Sequence, residues 1–291
     1  MPEKTLFLEL FQPFAQYRNP FTFYYAQTYP LPPKSTIIGM LQSACNDWYG
    51  NEYGVDNWWS LKISIHGGFE SVFWNYQSLL KGDLNLAESG LWINRHDKNP
   101  GGKVWLPLYS GGLTSRRSPV YQEELFNGHI YILIRCGNGQ QGELLEKIKD
   151  ALEEPRKILY LGRSEDVVFI KKVEELQAEE KIENVEGDIK LTFPTYIKMK
   201  DFPIKTKKYP VYSIPIKVLF KNKKNPVKHK SEITKETERD VEFEPVIYTG
   251  YEYSIILKEN KTIEENKTID VEFFKMDDNK EIRVIDSYGW L

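Results

Sequence analysis

In the first part of the chain, segments with strand-like spacing of apolar residues alternate with segments of helical spacing, and they predict a series of strands and helices. Alternating or continuous apolar runs, with β-branched residues, predict strands, while apolar residues at helical spacing predict helices. The predicted strands are 5–11, 61–74, 129–136, 157–162 ("KILYLG") and 166–176 ("DVVFIKKVEEL"). The predicted helices are 35–48 and 142–155.

Each predicted helix has an apolar face and a terminal signal. In the first helix, Ile37, Leu41, Ala44 and Trp48 fall on one face, and Ser35 is a candidate N-cap. In the second helix, four apolar residues form the predicted inward face, and Pro155 ends the helical pattern. These inward residues are Leu144, Leu145, Ile148 and Leu152.

The order of these elements predicts an α+β fold. Strand, helix and strand are followed by a long insert and then by a second strand–helix–strand unit, which is the RRM-like (ferredoxin-like) layout. We assign residues 1–185 to this domain, with a turn-rich insert at about 75–128 that is expected to form a protruding β-hairpin. Short β-branched and aromatic segments over 186–291 predict a β-rich C-terminal extension.

Composition narrows the class of protein. Aromatic residues make up 14% of the 291 residues, with 18 Tyr and 7 Trp, which suits a β-rich protein or one with stacking surfaces. The net charge of −3 means that any nucleic-acid binding must come from local patches. No signal peptide or membrane span is expected, and the predicted location is the cytoplasm.

Motifs for common catalytic chemistry are missing. The chain has no nucleotide-binding glycine motif, no HExxH and no GxSxG. Its two cysteines and four histidines lack metal-ligand spacing, so we expect neither a metal nor a cofactor. The stretch "NRHDK" (94–98) places His96 among cations that could move protons, and the alternative is a solvated hairpin tip. His129 opens a strong strand and is expected to be structural.

The stretch "QTYPLPPKSTIIGML" (27–41) predicts an anion site. Three prolines hold the chain extended before the first helix, because proline fixes its own φ and restricts the preceding residue. Lys34 then adds a charge where unpaired helix amides already favour anions. Alternatively, Ser35 or Thr36 caps the helix and Lys34 is solvated.

Three further basic segments are candidates for phosphate binding. Arg116 and Arg117, in "TSRRSPVYQEEL", could grip phosphates or be ordinary surface charge. In "YLGRSEDVV", Gly162 lets the backbone turn or approach a ligand closely, and Arg163 is expected to point from the short loop; the alternative is a plain hairpin turn. The run 198–230 interleaves lysines with aromatics, as in a nucleic-acid surface or a strand with one wet face.

These motifs together resemble a known family. The elements "QTYPLPPKSTIIGML", "TSRRSPVYQEEL" and "LYLGRSEDV", in this order around an RRM-like core, are similar to the fifth CRISPR-associated (Cas) protein family. The resemblance covers about residues 1–175, and "PLPPKSTIIGML" and "YLGRSE" are its most specific parts. The length and the C-terminal extension resemble the type I-B branch.

The resemblance implies a non-catalytic subunit of a type I Cascade effector for antiviral defence. Such a subunit holds the 5′ handle of the crRNA with a palm and a thumb. Its partners are the backbone subunit (Cas family seven) and the large subunit (Cas family eight), and target DNA indirectly. The implied RNA contacts are Arg18, Lys34, Ser35, Arg116, Arg117, Gly162 and Arg163, with Tyr25 or Trp105 as stacking candidates.

One branch of the family, subtype I-C, implies an alternative function. Its handle-binding subunit cuts precursor crRNA without a metal, using a tyrosine, a lysine and a histidine. Tyr29, Lys34 and His96 are the candidate counterparts here, but no motif of this sequence matches such a triad. We therefore expect binding without cleavage, with a metal-free endoribonuclease as the alternative. A third hypothesis is a protein-interaction module whose RRM-like sheet does not contact RNA.

Overall fold

The structure is a computed structural model of the chain. It describes residues 4–22, 25–80, 83–87, 90–95, 104–107, 117–136, 142–177, 179–181, 189–203, 208–222, 225–227, 229–234, 236–250, 254–255, 269–276 and 280–291. Of these, residues 78–80, 83–87, 90–95, 104–107, 117–118, 179–181 and 254 are described by their backbone alone.

The described residues form an α+β protein made mostly of strands, with three α-helices. The helices are α1 (Lys34–Ala44), α2 (Val55–Ser60) and α3 (Gly142–Glu153). The strands are β1 (Thr5–Ala15), β2 (Tyr25–Ala26), β3 (Lys62–Leu80), β4 (Asp83–Ala87), β5 (Gly90–Arg95), β6 (Val104–Pro107), β7 (Arg117–Arg135), β8 (Phe169–Leu176), β9 (Glu179–Lys181), β10 (Ile189–Lys190), β11 (Tyr196–Lys198), β12 (Val211–Asn222), β13 (Asn225–Pro226), β14 (Glu238–Tyr248), β15 (Ser254–Ile255), β16 (Val271–Lys275) and β17 (Glu281–Ile285).

The chain divides into two compact units. The first unit contains residues 1–19, 28–72 and 125–291, and the second contains residues 20–27 and 73–124. Residues 186–291 therefore share a unit with the N-terminal elements. The division of the chain into domains at 1–185 and 186–291 stays a prediction. No helix in the described ranges is long and apolar enough to cross a membrane.

The first unit is built on a sheet in which β3 pairs with β7, β7 with β1, and β1 with β8. The β1–β7 and β1–β8 pairs are antiparallel. Leu6, Leu8 and Leu10 alternate along β1, so they share one face of the sheet. That face packs against the apolar stripes of α1 and α3, including Ile37 and Ile148, and the shared cluster forms the main core.

The opposite face of this sheet is covered over part of its length by the C-terminal strands. Phe7 and Leu133 form a buried cluster there with Phe274, Ile282 and Trp290. An ion pair also fastens these strands, because Arg135 Nη1 lies 2.8 Å from Glu272 Oε1 and both side chains are largely buried. The Arg135 guanidinium in turn stacks on the Trp290 ring at 4.3 Å.

The remaining strands of the first unit form three small sheets. Strand β14 lies between β11 and β12, and β12 also pairs with β13. A second sheet joins β9, β16 and β17, and a third joins β10 to β15. Inward residues of these strands, among them Ile197 and Ile247, form a separate hydrophobic cluster with Phe202.

The second unit contains the predicted insert. Strand β2 pairs with β7 in parallel, placing Tyr25 opposite Tyr121. Strands β4, β5 and β6 form a three-stranded antiparallel sheet, and thus the insert has more strands than a single hairpin.

Three local predictions are wrong. The first helix begins at Lys34, with Pro33 rather than Ser35 at the N-cap, and it ends at Ala44. Trp48 is therefore not on a buried helical face and is 45% exposed, because Asn46 takes a left-handed conformation that ends the helix. Residues 157–162 form a loop rather than a strand. The apolar face of α3 is confirmed, since its four predicted residues are buried.

Candidate nucleic-acid interface

The loop at 159–168 is held against the end of β1 by one buried carboxylate. Asp166 Oδ2 accepts the backbone N–H of Gln16 at 3.0 Å and that of Arg163 at 2.8 Å. The side chain of Gln12 donates to Leu161 O at 2.7 Å and to Asp166 O at 3.2 Å. These bonds fix the loop on the strand that begins the sheet.

Arg163 is the ion-pair partner of Asp166. Its Nη2 lies 2.8 Å from Asp166 Oδ1, and its Nε donates to both carboxylate oxygens. The Asp166 side chain is only 1% exposed, and the Arg163 side chain only 18%. The expectation that Arg163 points outward from the loop is therefore wrong, and this guanidinium compensates a buried charge.

Gly162 is required by the same packing. Its φ of +120° lies in a region that residues with a Cβ rarely adopt. A Cβ at this position would lie 2.7 Å from Asp166 Oδ2 and 3.0 Å from Gln16 O. The space beside Gly162 is thus filled by the carboxylate of its own loop, and a close approach of Gly162 to a ligand stays a prediction.

Lys34 departs most clearly from its predicted role. Its side chain is buried, and Nζ donates to Trp59 O at 3.1 Å and to Leu291 O at 3.2 Å. Burial, together with the charges of Lys198 and Lys217, lowers the pKa of Lys34 to about 8. The open anion site predicted at the start of α1 is not formed, because the ammonium is turned inward onto main-chain oxygens.

The other predicted contacts are distributed as follows. Arg18 is exposed beside a backbone bridge to Thr28, and no described carboxylate pairs with it. Ser35 is half-buried in the first turn of α1. Arg116 lies outside the described residues, and Arg117 starts β7 with only its backbone described.

The lysine-rich run is not a uniform basic surface where the structure describes it. Phe202 and Tyr209 are buried in the C-terminal cluster rather than exposed for stacking. Lys221 forms an ion pair with Asp240 on the neighbouring strand. Burial also lowers the pKa of Lys198. These four residues of the run therefore serve the packing and charge balance of the C-terminal strands.

The uncovered end of the main sheet presents a set of aromatic side chains. Phe11 lies on the face opposite the helices, with the His129 ring at 5.4 Å and the Phe169 ring at 6.2 Å on the flanking strands. Phe169 is 50% exposed, and His129 is exposed. The ammonium of Lys171 lies 5.5 Å from the centre of the Phe11 ring. We call Phe11, His129, Phe169 and Lys171 the open-face patch.

A second ring pair lies farther along the same strands. Phe14 and Phe126 are exposed, with ring centres 5.2 Å apart, while their neighbours Ala15 and Leu125 are buried in the core. Rings beside a cation are the usual surface for stacking the bases of a single strand.

Sequence reasoning missed the open-face patch, and it expected His129 to be a structural residue. The signal was present in β1, where Phe7, Glu9 and Phe11 alternate with Leu6, Leu8 and Leu10. Because apolar side chains lie on both faces of this strand, each face is expected to contact another part of the protein or a ligand. The match of Phe11 with His129 and Phe169 depends on strand register, which the sequence does not reveal.

The candidate catalytic residues are not arranged as a set within the described chain. Tyr29 is buried, its hydroxyl donates to Ser213 O at 2.7 Å, and burial raises its pKa to about 12. Lys34 is occupied as described above, and His96 lies outside the described residues. Of the stacking candidates, Tyr25 is exposed with its ring 6.0 Å from Trp74, and the Trp105 side chain is not described. No group of three metal-ligating side chains occurs in the described ranges.

Comparison with known proteins adds a family match. The family model described as CRISPR-associated protein (Cas_Cas5) matches residues 5–203. No curated protein matches the chain. A solved CRISPR RNA-guided surveillance complex contains a similar chain at 13% identity, with 84% of this chain and 88% of that chain covered and a TM-score of 0.46. A CRISPR protein from Archaeoglobus fulgidus is 12% identical over 98% of this chain and 100% of that chain, with a TM-score of 0.40.

The family model spans more than half of the chain, from the first strand of the main sheet to the C-terminal strands. It includes both stretches that carry the resemblance in sequence, at 27–41 and 160–168. The chain belongs to the Cas5 family of CRISPR-associated proteins.

Proposed function

We propose that this chain is the crRNA-binding subunit of a type I CRISPR surveillance complex, in which it holds the 5′ handle without cutting it. Membership of the Cas5 family supports assignment to such a complex. The open-face patch carries the assignment of RNA binding, because it joins exposed rings to a cation on a sheet face that the C-terminal strands leave uncovered.

The chemistry of the patch suits an unpaired strand. A base stacks on an aromatic ring whatever its identity, and a neighbouring lysine neutralises phosphate. The antiparallel register brings Phe11, His129 and Phe169 into one row across three strands. A row of this kind accommodates successive splayed bases rather than a duplex, whose bases are already stacked.

The topology supports an RRM-like palm. The pairing order β3–β7–β1–β8, with α1 after β1 and α3 after β7, matches two strand–helix–strand units on one sheet. In RRM domains, aromatic side chains on the sheet stack RNA bases, as proposed here for the open-face patch. The second unit, with β4, β5 and β6, is the proposed thumb.

The proposed partners follow from the family. They are the backbone subunit (Cas family seven), the large subunit (Cas family eight) and, through the complex, target DNA. We place the complex in the cytoplasm and keep the type I-B branch as part of the proposal.

The absence of cleavage is proposed from how two candidate groups are used. Metal-free RNA cleavage needs a base and an acid at hydrogen-bond distance from the reacting oxygens. The hydroxyl of Tyr29 and the ammonium of Lys34 instead donate to main-chain oxygens of their own chain. We therefore favour binding over the alternative, a metal-free endoribonuclease.

Extraction of bound RNA tests the proposal. The complex is purified from its native host through a tag on this chain, and the RNA is extracted and sequenced. We expect RNAs with one uniform 5′ end that lies within a CRISPR repeat. A complex without RNA, or with RNAs of random ends, would contradict the assignment.

A cleavage assay separates the two candidate functions. Labelled repeat RNA is incubated with excess protein in EDTA, using the wild type, Tyr29→Phe and His96→Ala in parallel. We expect intact RNA in every lane. A single product that either substitution abolishes would establish the endoribonuclease instead.

A further inference from the structure

A loop after α1 that is held by several hydrogen bonds presents Trp48 to solvent. Asn46 and Tyr49 both have left-handed backbone angles, with φ of 55° and 59°. The buried carboxylate of Asp47 accepts the N–H groups of Glu52 and Tyr53 and the indole N–H of Trp58. Left-handed angles are costly for residues with a Cβ, and they persist where the surroundings over-determine them.

Tyr49 anchors the loop to the C-terminal strands. Its hydroxyl donates to Val227 O at 3.0 Å and accepts the N–H of Phe220 at 3.0 Å. The two rings Tyr49 and Phe220 pack edge to face at 5.0 Å. Tyr49 is buried, whereas the adjacent Trp48 is 45% exposed, so the strained turn directs the tryptophan outward.

Two cations stand beside these rings. The ammonium of Lys230 lies 5.4 Å from the centre of the Trp48 ring, and Trp48 is in turn 6.0 Å from the Phe220 ring. The guanidinium carbon of Arg239 lies 5.9 Å from the Phe220 ring. No carboxylate in the described part of the chain pairs with either cation, whereas the neighbouring Lys221 is paired with Asp240.

We propose that Trp48, Lys230 and Arg239 form a second nucleic-acid site, which binds an unpaired base and its flanking phosphates. The exposed indole supplies the stacking surface, and the two cations supply charge for the backbone. Protein interfaces are enriched in tryptophan and arginine but depleted in lysine, so Lys230 is the residue of this site that favours a nucleic acid over a protein partner. The site shares no residue with the open-face patch and does not depend on the function of that patch.

Photocrosslinking tests the proposal directly. Short single-stranded RNA and DNA oligonucleotides that contain 5-iodouracil are bound to the full chain and irradiated, and the crosslinked peptides are identified by mass spectrometry. We expect a crosslink at Trp48 with at least one of the two strands. The RNA and DNA arms show whether a guide strand or a displaced DNA strand is the better ligand.

Binding measurements use the same oligonucleotides. The Trp48→Ala variant should weaken binding by about fivefold or more, and Lys230→Gln with Arg239→Gln should flatten the salt dependence by up to about 1.4 log–log units. Ile158→Ala and Lys190→Gln are matched controls, since both residues are exposed outside the site. Trp48→Phe keeps a ring at the position and should retain part of the affinity.

The measurements are repeated in a Phe169→Ala, Lys171→Gln background, which removes the open-face patch, so that the remaining binding can be assigned to the Trp48 site. In that background the crosslink at Trp48 should persist. The proposal is overturned if Trp48 is not crosslinked to either strand, or if Trp48→Ala binds as the controls do.

Discussion

The guanidinium of Arg163 and the buried carboxylate of Asp166 form an ion pair, with Nη2 2.8 Å from Oδ1. The same carboxylate holds the backbone of Gln16, so the pair links the loop to the first strand of the main sheet. An arginine that resembles an RNA contact in the sequence thus has a structural role in this chain. Loss of RNA binding in an Arg163 variant would consequently be accompanied by loss of stability.

Removal of Arg163 should destabilise the fold. In Arg163→Ala the Asp166 carboxylate remains buried without its partner, which typically costs about 3–5 kcal/mol. The free energy of unfolding, from urea titrations followed by circular dichroism, measures this loss. Arg156→Ala is the control, because Arg156 is an exposed arginine outside this loop. Weaker RNA binding with unchanged stability in Arg163→Ala would show that the arginine contacts RNA instead.

Gly162→Ala should destabilise the same loop. The new Cβ would meet Asp166 Oδ2 at 2.7 Å, and the residue would keep a φ of +120°. Gly39→Ala is the matched control, since a Cβ there meets nothing within 4 Å and the position is inside α1. Alanine in a helix interior is better than glycine by about 0.5–1 kcal/mol. The midpoint temperature of thermal unfolding should therefore fall in Gly162→Ala and rise in Gly39→Ala. Equal shifts in the two variants would refute this account of Gly162.

Lys34 should make stability rise with pH in the alkaline range. Burial lowers its pKa from 10.5 to about 8, so between these values the unfolded chain binds a proton that the folded chain does not. The cost of the buried ammonium, present below pH 8, disappears as the pH rises toward 10.5. Between pH 8 and 10.5, the free energy of unfolding of the wild type should therefore rise by about 2–4 kcal/mol relative to that of Lys34→Met.

The control for this titration is Lys200→Met, because Lys200 is exposed. Urea unfolding is measured at intervals across the alkaline range for all three proteins. Parallel curves for the wild type and Lys34→Met would mean that the Lys34 ammonium is not buried as described.

His66 should make stability fall with acid. Its imidazole is buried against the Ser64 hydroxyl at 2.8 Å, and desolvation lowers its pKa from 6.5 to about 3. Between these values only the unfolded chain takes up the proton, so stability present above pH 6.5 is lost as the pH falls. The free energy of unfolding should fall more steeply with decreasing pH in the wild type than in His66→Gln, by about 1.4 kcal/mol per pH unit.

The exposed His229 supplies the comparison for His66. His229→Gln should follow the wild-type curve through the same acid range. If His66→Gln also followed it, His66 would not be a neutral buried histidine.

The sequence predicted elements well where local periodicity decides them. The four inward residues of α3 have helical spacing and are all buried. The end of α1 was missed because the left-handed turn at Asn46 depends on contacts of Asp47 and Tyr49 that come from later in the chain.

The site was harder to predict because distant residues determine which cations are available. Lysine is usually exposed, yet Lys34 is buried and donates to main-chain oxygens of Trp59 and Leu291. Arg163 has an acidic neighbour in "GRSED", and this spacing alone could have suggested a local ion pair. The row Phe11–His129–Phe169 requires the register of three strands, which no local pattern contains.

The affinity of the open-face patch for single-stranded RNA is the most direct test of the proposed function. Fluorescence anisotropy of a labelled RNA, at fixed salt, compares the wild type with Phe169→Ala, Lys171→Gln and the matched surface variant Val211→Ala. Each stacked base contributes about 1–3 kcal/mol, so Phe169→Ala should weaken binding by at least about fivefold, and Lys171→Gln should flatten the salt slope by up to about 0.7. Equal affinities and salt slopes in all four proteins, with intact folds, would contradict RNA binding on this face.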